Sequence, residues 1–559
     1  MKKIAMRSVR AALQLIPKTL KDKLKQNERL TSFYISSVRR SGLFFDAPTP
    51  KQTQQLYNQW LKRDVKASKQ KSTKKLDWQA VIFGGECSDK TLANLTSLGA
   101  HKVLMLGSEV GSTSTEILGE LDNTLPTLLL NNGDTLSPTA IIELLEALKG
   151  HNMVYCDTDL VNELGERSNP RFLPEWSPEL HFSTAYIDSG VMIETALLKS
   201  VEVTAESSIA EVITRATLLI PNLSIGHIPN ILLHVNHPCG NNERAVKTVR
   251  RELEKHYDVS VFFDEQHMLN RLLWKNTNPF ISLIIPTKNG RALVQACVES
   301  ILEKTTYQNF EILLIDNGSD EEESVTYFEY LNSLEKVSVL KYPQPFNYSA
   351  INNFGVKHAK GSVIGLINND IEVITPEWLT YMVGHVQRES VGCVGAKLLY
   401  SDTRIQHAGV VLGYGGGAGH AHKNFPRHYS GYLKRIAATN NFSAVTAACL
   451  LVKREHFEAV AGLNENDLSV AFNDVDFCLR VKELGVNNIY CAEAELYHHE
   501  SVSRGLDISP EKAARFNKEL TYLQTKWSRV INNDPFYSPH LTLKKENFSI
   551  KSNDELSNS

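Results

Sequence analysis

Residues 362–370 read SVIGLINND, and this stretch decides the fold. An unbroken apolar run of strand length stops at Asn368-Asn369-Asp370. Just before it, SAINNFGVKHAKG (349–361) has a helical pattern closed by Gly361. The same alternation runs outward on the N-terminal side. ISLIIP (281–286) is a buried strand, RALVQACVESILEK (291–304) an amphipathic helix, FEILLID (310–316) a second strand and VSVLKY (337–342) a third. Strands separated by helices predict a parallel sheet. Strands that end in polar residues place those residues at the carboxyl edge, where open α/β sheets bind ligands.

Residues 76–275 repeat the style with VIF (81–83), KVLML (102–106), TLLL (127–130) and MVYC (153–156) as strands, and SPTAIIELLEALKG (137–150) as a helix. Three internal echoes support two related domains. LLLNNGDTLSP (128–138) resembles LINNDIEVITP (366–376), SGVMIETALLKSV (189–201) resembles ACLLVKREHFEAV (448–460), and IPNILLHVNH (228–237) resembles AEAELYHHE (492–500). The predicted organisation is a basic helical extension over 1–75, an α/β domain over 76–275, a second over 276–535 and a polar, frayed tail over 536–559.

Composition bounds the function. The 559 residues are 42% apolar and 22% charged, ordinary for a globular chain and unlike a disordered, collagenous or coiled-coil one. No apolar run approaches the ~18 residues of a membrane span. The eight cysteines are scattered without a CxxC pair, which fits a reducing compartment and neither a zinc module nor a disulfide framework. The N-terminus does not read as a secretory signal. The net charge of −3 hides an asymmetry: residues 1–75 carry +15 and the remainder −18. A basic arm on an acidic body predicts an anionic partner, with residues 1–30 against an anionic membrane surface or packed as a plain extension. No nucleic-acid partner is expected.

Several polar constellations can carry chemistry. Asn368, Asn369 and Asp370 at a strand end supply hard oxygen ligands for magnesium or manganese. Asp316-Asn317-Gly318-Ser319-Asp320, also after a strand, offers a carboxylate to a nucleobase N–H. Asp474, near the start of the helical run in AFNDVDFCLRVKELG (471–485), is placed to take a proton from an attacking hydroxyl, with the helix dipole keeping it ionised. In LYHHESVSRG (496–505), His498 could ligate a metal or bind phosphate and Arg504 could clamp a phosphate. Each motif alone also reads as a turn, a cap or a structural histidine.

Taken in order, SLIIPTKNG, EILLIDNGSD, PFNYSAINNFGVKHAKG, LINNDIEV, VGAKLLY, IQHAGVVLG, SAVTAACLLVKRE, FNDVDFCLRV and YHHESVSRG resemble a family 2 glycosyltransferase of the GT-A fold. The likeness covers roughly 250 residues and is closest to bacterial tandem-domain enzymes of O-antigen, rhamnan and related surface polysaccharides. The fold class it implies is α/β, with two GT-A-like domains in tandem, the first degenerate. It implies inverting transfer of a hexosyl or rhamnosyl unit from a nucleotide-diphospho-sugar to a glycan or lipid-linked acceptor, aided by magnesium or manganese. The location implied is cytoplasmic, peripheral on the inner face of the membrane.

Carried over by motif, Asp474 is the base. Pro286, Asn289 and Asp316 form the base pocket, and Asn353, Asn368, Asn369, Asp370 and Arg504 hold the rest of the donor. Asp370 and His498 hold the metal, and Lys397, His407, Ala448 and Cys449 face the acceptor. The chain departs from the family pattern in having Asn368 as the first metal-motif residue and Asn473 before the base. NNGDTLSP, YCDTDLVNELGE and FLPEWSPEL give the first domain the same likeness, but Ile82 to Asn131 spans 49 positions against 86 from Ser282 to Asn368. The missing 37 positions are expected to remove the nucleobase turn, and Ala210 stands opposite Asp474. The first domain is therefore expected to be inactive or to line an acceptor groove. The competing class is a non-catalytic glycan-binding or scaffold protein.

Overall fold

A computed structural model describes residues 47–67, 76–85, 87–107, 114–236, 242–499 and 509–556. The basic arm over 1–46 and Arg504 lie outside the described residues.

The first sheet contains β1 (Gln79–Phe83), β2 (Lys102–Leu106), β3 (Thr127–Asn131), β4 (Thr135–Leu136), β5 (Met153–Val161), β6 (Arg167–Arg171), β7 (Val191–Ile193) and β8 (Ile225–Val235). The hairpin β9 (Val259–Asp264) and β10 (Leu269–Trp274) follows. The second sheet uses β11 (Ile281–Thr287), β12 (Phe310–Asp316), β13 (Val337–Lys341), β14 (Val363–Ile367), β15 (Ile371–Val373), β16 (Val391–Leu399) and β17 (Ile405–His407). A small hairpin, β18 (Val410–Leu412) and β19 (Ala418–His420), precedes its last strands, β20 (Asn440–Phe442), β21 (Cys449–Lys453) and β22 (Asn487–His498).

The strand orders are β2-β1-β3-β7-β5-β8-β4 and β13-β12-β11-β14-β21-β16-β22-β15. Outward from β3 and β14 the two paths correspond strand for strand, except that β13 has no counterpart. Register agrees too: Thr135 pairs with His234 as Ile371 pairs with His498. Among the described residues, the segment between β2 and β3 carries one helix where the segment between β12 and β14 carries two helices and β13.

The parallel strands are apolar on both faces because both are covered. Ile281, Leu283 and Ile285 join one core with the helices Arg291–Lys304 and Trp378–Val386, while Ile284 joins the opposite core with Tyr348–His358. Gly355 lets that last helix lie close: a Cβ there would stand 2.5 Å from Ile284 Cγ2. Upstream, the helix Ala140–Leu148 starts later than its sequence suggests, because the Ser137 N–H donates to Leu232 O and extends the sheet. Helix Pro50–Ala67 buries Tyr57 and Trp60 against the body.

The polar tail expected over 536–559 is not frayed in its described part. Phe536, Tyr537, Leu541, Phe548 and Ile550 are buried. Phe548 stacks on His422 at 4.2 Å between ring centres and meets Tyr537 at 5.0 Å. Spaced apolar anchors in a polar segment dock it, although its mean composition reads as solvated. Phe548→Ala should cost about 3–5 kcal/mol, as for other buried aromatic truncations. Urea unfolding would read this; a frayed tail would give a change near zero.

Candidate functional site

The carboxyl ends of β11, β12 and β14 lie side by side at one edge of the sheet. Thr287 pairs with Asp316 across β11 and β12, so Pro286 and Asp316 stand at adjacent strand ends. Asp316 accepts from the Ser319 N–H at 2.8 Å, which curls the following turn. Asn289, at φ 52°, donates its N–H to Ser319 Oγ at 2.7 Å and its amide to Asp320 at 2.8 Å. These three expected base-pocket residues are brought together. Asn369 reaches back to Thr287 Oγ1 at 2.9 Å and ties β14 to the same edge.

Beyond β14 the chain turns through Asn368–Asp370 into β15, which pairs antiparallel with the end of β22. That pairing faces Asp370 with His498, whose Nε2 lies 3.2 Å from Asp370 Oδ1 and 3.2 Å from the Asn368 amide. Apart from the ring nitrogen, this buried carboxylate oxygen has no partner, and neither has His498 Nδ1. Burial raises the Asp370 carboxyl, but the adjoining His498 more than offsets this and holds it below the ordinary range. Among the described residues no three His, Cys, Asp or Glu side chains cluster as a metal site. Two protein ligands, one carboxylate and one imidazole, with an amide beside them, suit a divalent ion that takes its other ligands from a diphosphate.

Asp474 sits in the first turn of the helix Asn473–Lys482, after Phe472 at φ 58°. Its carboxylate accepts from the Ala447 N–H at 3.1 Å and from the Val475 N–H at 2.9 Å. The helix dipole favours the ionised form of this group. Instead burial dominates over its hydrogen bonds and pushes its pKa up. That suits a base better than a low pKa would.

Tyr348, not singled out from sequence, links the two centres. Its hydroxyl lies 3.1 Å from Asn368 Oδ1 and 3.2 Å from Ala447 O. Base, backbone of 447, tyrosine, Asn368 and His498 thus form one connected chain. Only its place within PFNYSAINN could have hinted at this, since it is 20 residues from Asn368.

Other expected residues are placed differently. Asn353 is 8% exposed and spends its amide on Leu463 and Glu465 at 2.9 and 2.7 Å, holding the loop before the base rather than presenting itself to a ligand. His407 is fully enclosed, bonding Ala396 O at 2.8 Å and accepting from the Thr446 N–H at 3.3 Å. Cys449 is wholly buried in the sheet core and Ala448 nearly so; neither His407 nor Cys449 offers an atom to an acceptor. Lys397 pairs with Glu495 at 2.8 Å at the rim of a separate cavity. The glycine-rich stretch after 412 packs as the β18–β19 hairpin, with His420 and His422 held by Gln406 O and the Tyr432 N–H.

In the first sheet the corresponding positions are spent on structure. His234 turns to Asp159 at 2.6 Å, and Arg167 and Tyr57 hold the same carboxylate at 2.5 Å each. Asp134 precedes β4 as Asp370 precedes β15, but it is capped by Ser189 Oγ at 2.5 Å. Ala210 stands second in the helix Ile209–Leu219, the position Asp474 holds in its own.

Residues 282–460 match the family described as Glycosyl transferase family 2. The chain is 40% identical over 446 residues to the protein y4gI of Sinorhizobium fredii, covering 76% of this chain and 49% of that one. It is 33% identical over 447 residues to the O-antigen biosynthesis protein RfbC of Myxococcus xanthus, covering 76% of this chain and 34% of the relative. It thus spans about half or less of the length of these relatives. Among solved structures, a mannosyltransferase of Pyrobaculum calidifontis in complex with GDP-Man and Mn2+ aligns at 15% identity and a TM-score of 0.35, over 48% of this chain and 70% of that one. The fold is α/β with the singled-out polar residues at a sheet edge, and residues 282–460 belong to the family 2 glycosyltransferases. No helix among the described residues is long and apolar enough to cross a membrane.

Burial raises the Asp134 carboxyl to about 7. The native state then holds a proton that the unfolded chain, at 3.8, has released, so stability falls as pH rises from about 4 to about 7. Asp134→Asn should remove this slope, of up to about 4 kcal/mol, and raise Tm at pH 8 more than at pH 5. Thermal melts across that window would show it.

Proposed function

We propose that residues 276–535 form a catalytic GT-A domain. It transfers a hexosyl or rhamnosyl unit, with inversion, from a nucleotide-diphospho-sugar to a glycan or lipid-linked acceptor of a bacterial surface polysaccharide. The observation that carries this reading is the linked pair of centres: a raised-pKa Asp474 held by the Ala447 N–H, and the Asp370–His498 pair joined to it through Tyr348 and Asn368. Family membership and the O-antigen relative support the reaction class.

In the proposed reaction Asp316, Pro286 and Asn289 receive the nucleobase. Asp370 and His498, with Asn368, would hold a magnesium or manganese ion, which supplies charge to offset the departing diphosphate. Asp474 takes the proton of the acceptor hydroxyl as its oxygen bonds to the anomeric carbon, and the nucleoside diphosphate leaves from the opposite face. One base and no protein nucleophile give inversion.

Residues 76–275 serve as a non-catalytic GT-A-like domain. Ala210 stands in its helix where Asp474 stands in the other. Residues 1–30, which are strongly basic, hold the enzyme at the anionic inner surface of the cytoplasmic membrane.

Asp474→Asn should lower transfer by about 100- to 10,000-fold while nucleotide binding survives. The acid limb of kcat/KM should lie above the ordinary carboxylate range in the wild type and be absent in the variant. Sugar-transfer assays from pH 4 to 9 with nucleotide-sugar donors test both, and near-normal turnover would remove Asp474 from the role. Asp370→Ala should abolish the manganese-dependent thermal shift produced by nucleoside diphosphates. Full wild-type activity in excess EDTA would refute the metal assignment.

A further inference from the structure

A second cavity lies outside the donor groove. It measures about 320 Å³, at the small end of the ~300–1,000 Å³ range of ligand pockets. Its walls come from both halves of the chain. The β9–β10 hairpin contributes Arg271 on one side, Tyr381 stands on the helix Trp378–Val386, and Lys397 with Glu493 and Glu495 project from β16 and β22. The hairpin wall is fixed in place, since Arg271 donates to Ala437 O at 2.6 Å and Lys434 donates to Met268 O at 2.8 Å.

Most of the cations are engaged with acids of the cavity or its rim. Lys397 and Arg427 both grip Glu495, and Arg271 holds Asp264 at 2.6 Å. Glu493 accepts from Thr439 through Oε2, but its Oε1 has no hydrogen-bond donor, although the side chain is only 5% exposed. The nearest cation, Arg271 Nη1, is 3.6 Å away. A buried carboxylate oxygen without a donor is costly, and it marks a place for a ligand hydroxyl.

The charges decide the class of ligand. Besides the imidazoles of His267 and His428, three cations, Lys397, Arg271 and Arg427, face three acids, Glu377, Glu493 and Glu495. A phosphate would meet the carboxylates, and a metal cation would meet the guanidinium and ammonium groups. A neutral polyol uses both sets, because each hydroxyl donates to a carboxylate and accepts from a cation. The Tyr381 ring adds an apolar face for the C–H side of a sugar. Glu495 also lies three residues before His498 on β22, roughly 10 Å along the strand and on its other face, and its backbone oxygen receives the N–H of Thr375 just after β15.

We propose that this cavity is a saccharide subsite that holds a neutral sugar unit of the glycan acceptor beside the donor groove, with Glu493 and Tyr381 as its principal contacts. The choice of ligand rests on the glycosyltransferase reading. The site also gives the first half of the chain a part in substrate binding that needs no chemistry there.

Saturation-transfer NMR on the full chain would test this with methyl α-mannoside, methyl α-rhamnoside, methyl β-glucoside and N-acetylglucosamine as probes. At least one should show transfer that survives Asp370→Ala and weakens about tenfold or more in Glu493→Gln and in Tyr381→Ala, both checked for fold by circular dichroism. Glu493→Gln keeps the side chain's shape, so it remains informative if the tyrosine variant unfolds. No transfer from any probe, transfer unchanged in Glu493→Gln, or displacement by inorganic pyrophosphate but not by sugar would overturn the proposal. A parallel thermal shift with manganese and UDP, GDP or dTDP separates the two readings. If nucleotide binding persists without saccharide transfer, the subsite alone fails; if nucleotide binding is absent, the donor reading fails.

Discussion

A three-residue pairing governs the site. β15 contributes only Ile371, Glu372 and Val373, yet its antiparallel register against β22 fixes where Asp370 and His498 stand. A slip of one residue would turn both side chains to the wrong face. The Trp378–Val386 helix, the β16–β22 pairing and the buried Ile371 and Val373 all serve to hold that register. The Asn368–Asp370 turn is then positioned by backbone, and the side chains need little further support.

The first sheet shows what register alone does not achieve. Thr135 and His234 keep the pairing, so Asp134 is delivered to the matching place. The imidazole has nevertheless found a better partner in Asp159, which is also bonded by Arg167 and Tyr57. A buried carboxylate satisfied by three donors is a stable structural node. Residues that would ligate in one half have become cross-links in the other, without any change in sheet plan.

Much of this was legible in the sequence. Apolar runs ending in Asn or Asp located the strands of the second sheet and the polar groove at their ends, because burial on both faces leaves an unambiguous pattern. Asp316, Asp370, Asp474 and His498 were each visible as strand-end or helix-start residues. What could not be read was partnership. Nothing in PFNYSAINN announces that Tyr348 bridges to Asn368 and Ala447. Nothing in AAC announces that Cys449 turns into the core, since a small residue on a buried strand carries no directional mark. The tail misled because Phe536, Leu541 and Phe548 are too few and too widely spaced to show a period. The rise in the Asp474 pKa was likewise hidden, because it comes from surroundings supplied by distant segments.

The landing of helix Pro50–Ala67 has a consequence for the order of folding. Trp60 donates its indole N–H to His540 Nδ1 at 3.1 Å, across 480 positions of chain. Asp159 and Phe172 can meet this helix early, but the other wall of its seat is translated much later. At ~5–20 residues per second, the ribosome needs roughly half a minute to a minute and a half to make that wall. Until then the Tyr57–Trp60 ridge has only half its shelter. The nascent chain must therefore be shielded, by a chaperone or by contact with another surface, for a time set by translation rather than by the folding of the helix itself.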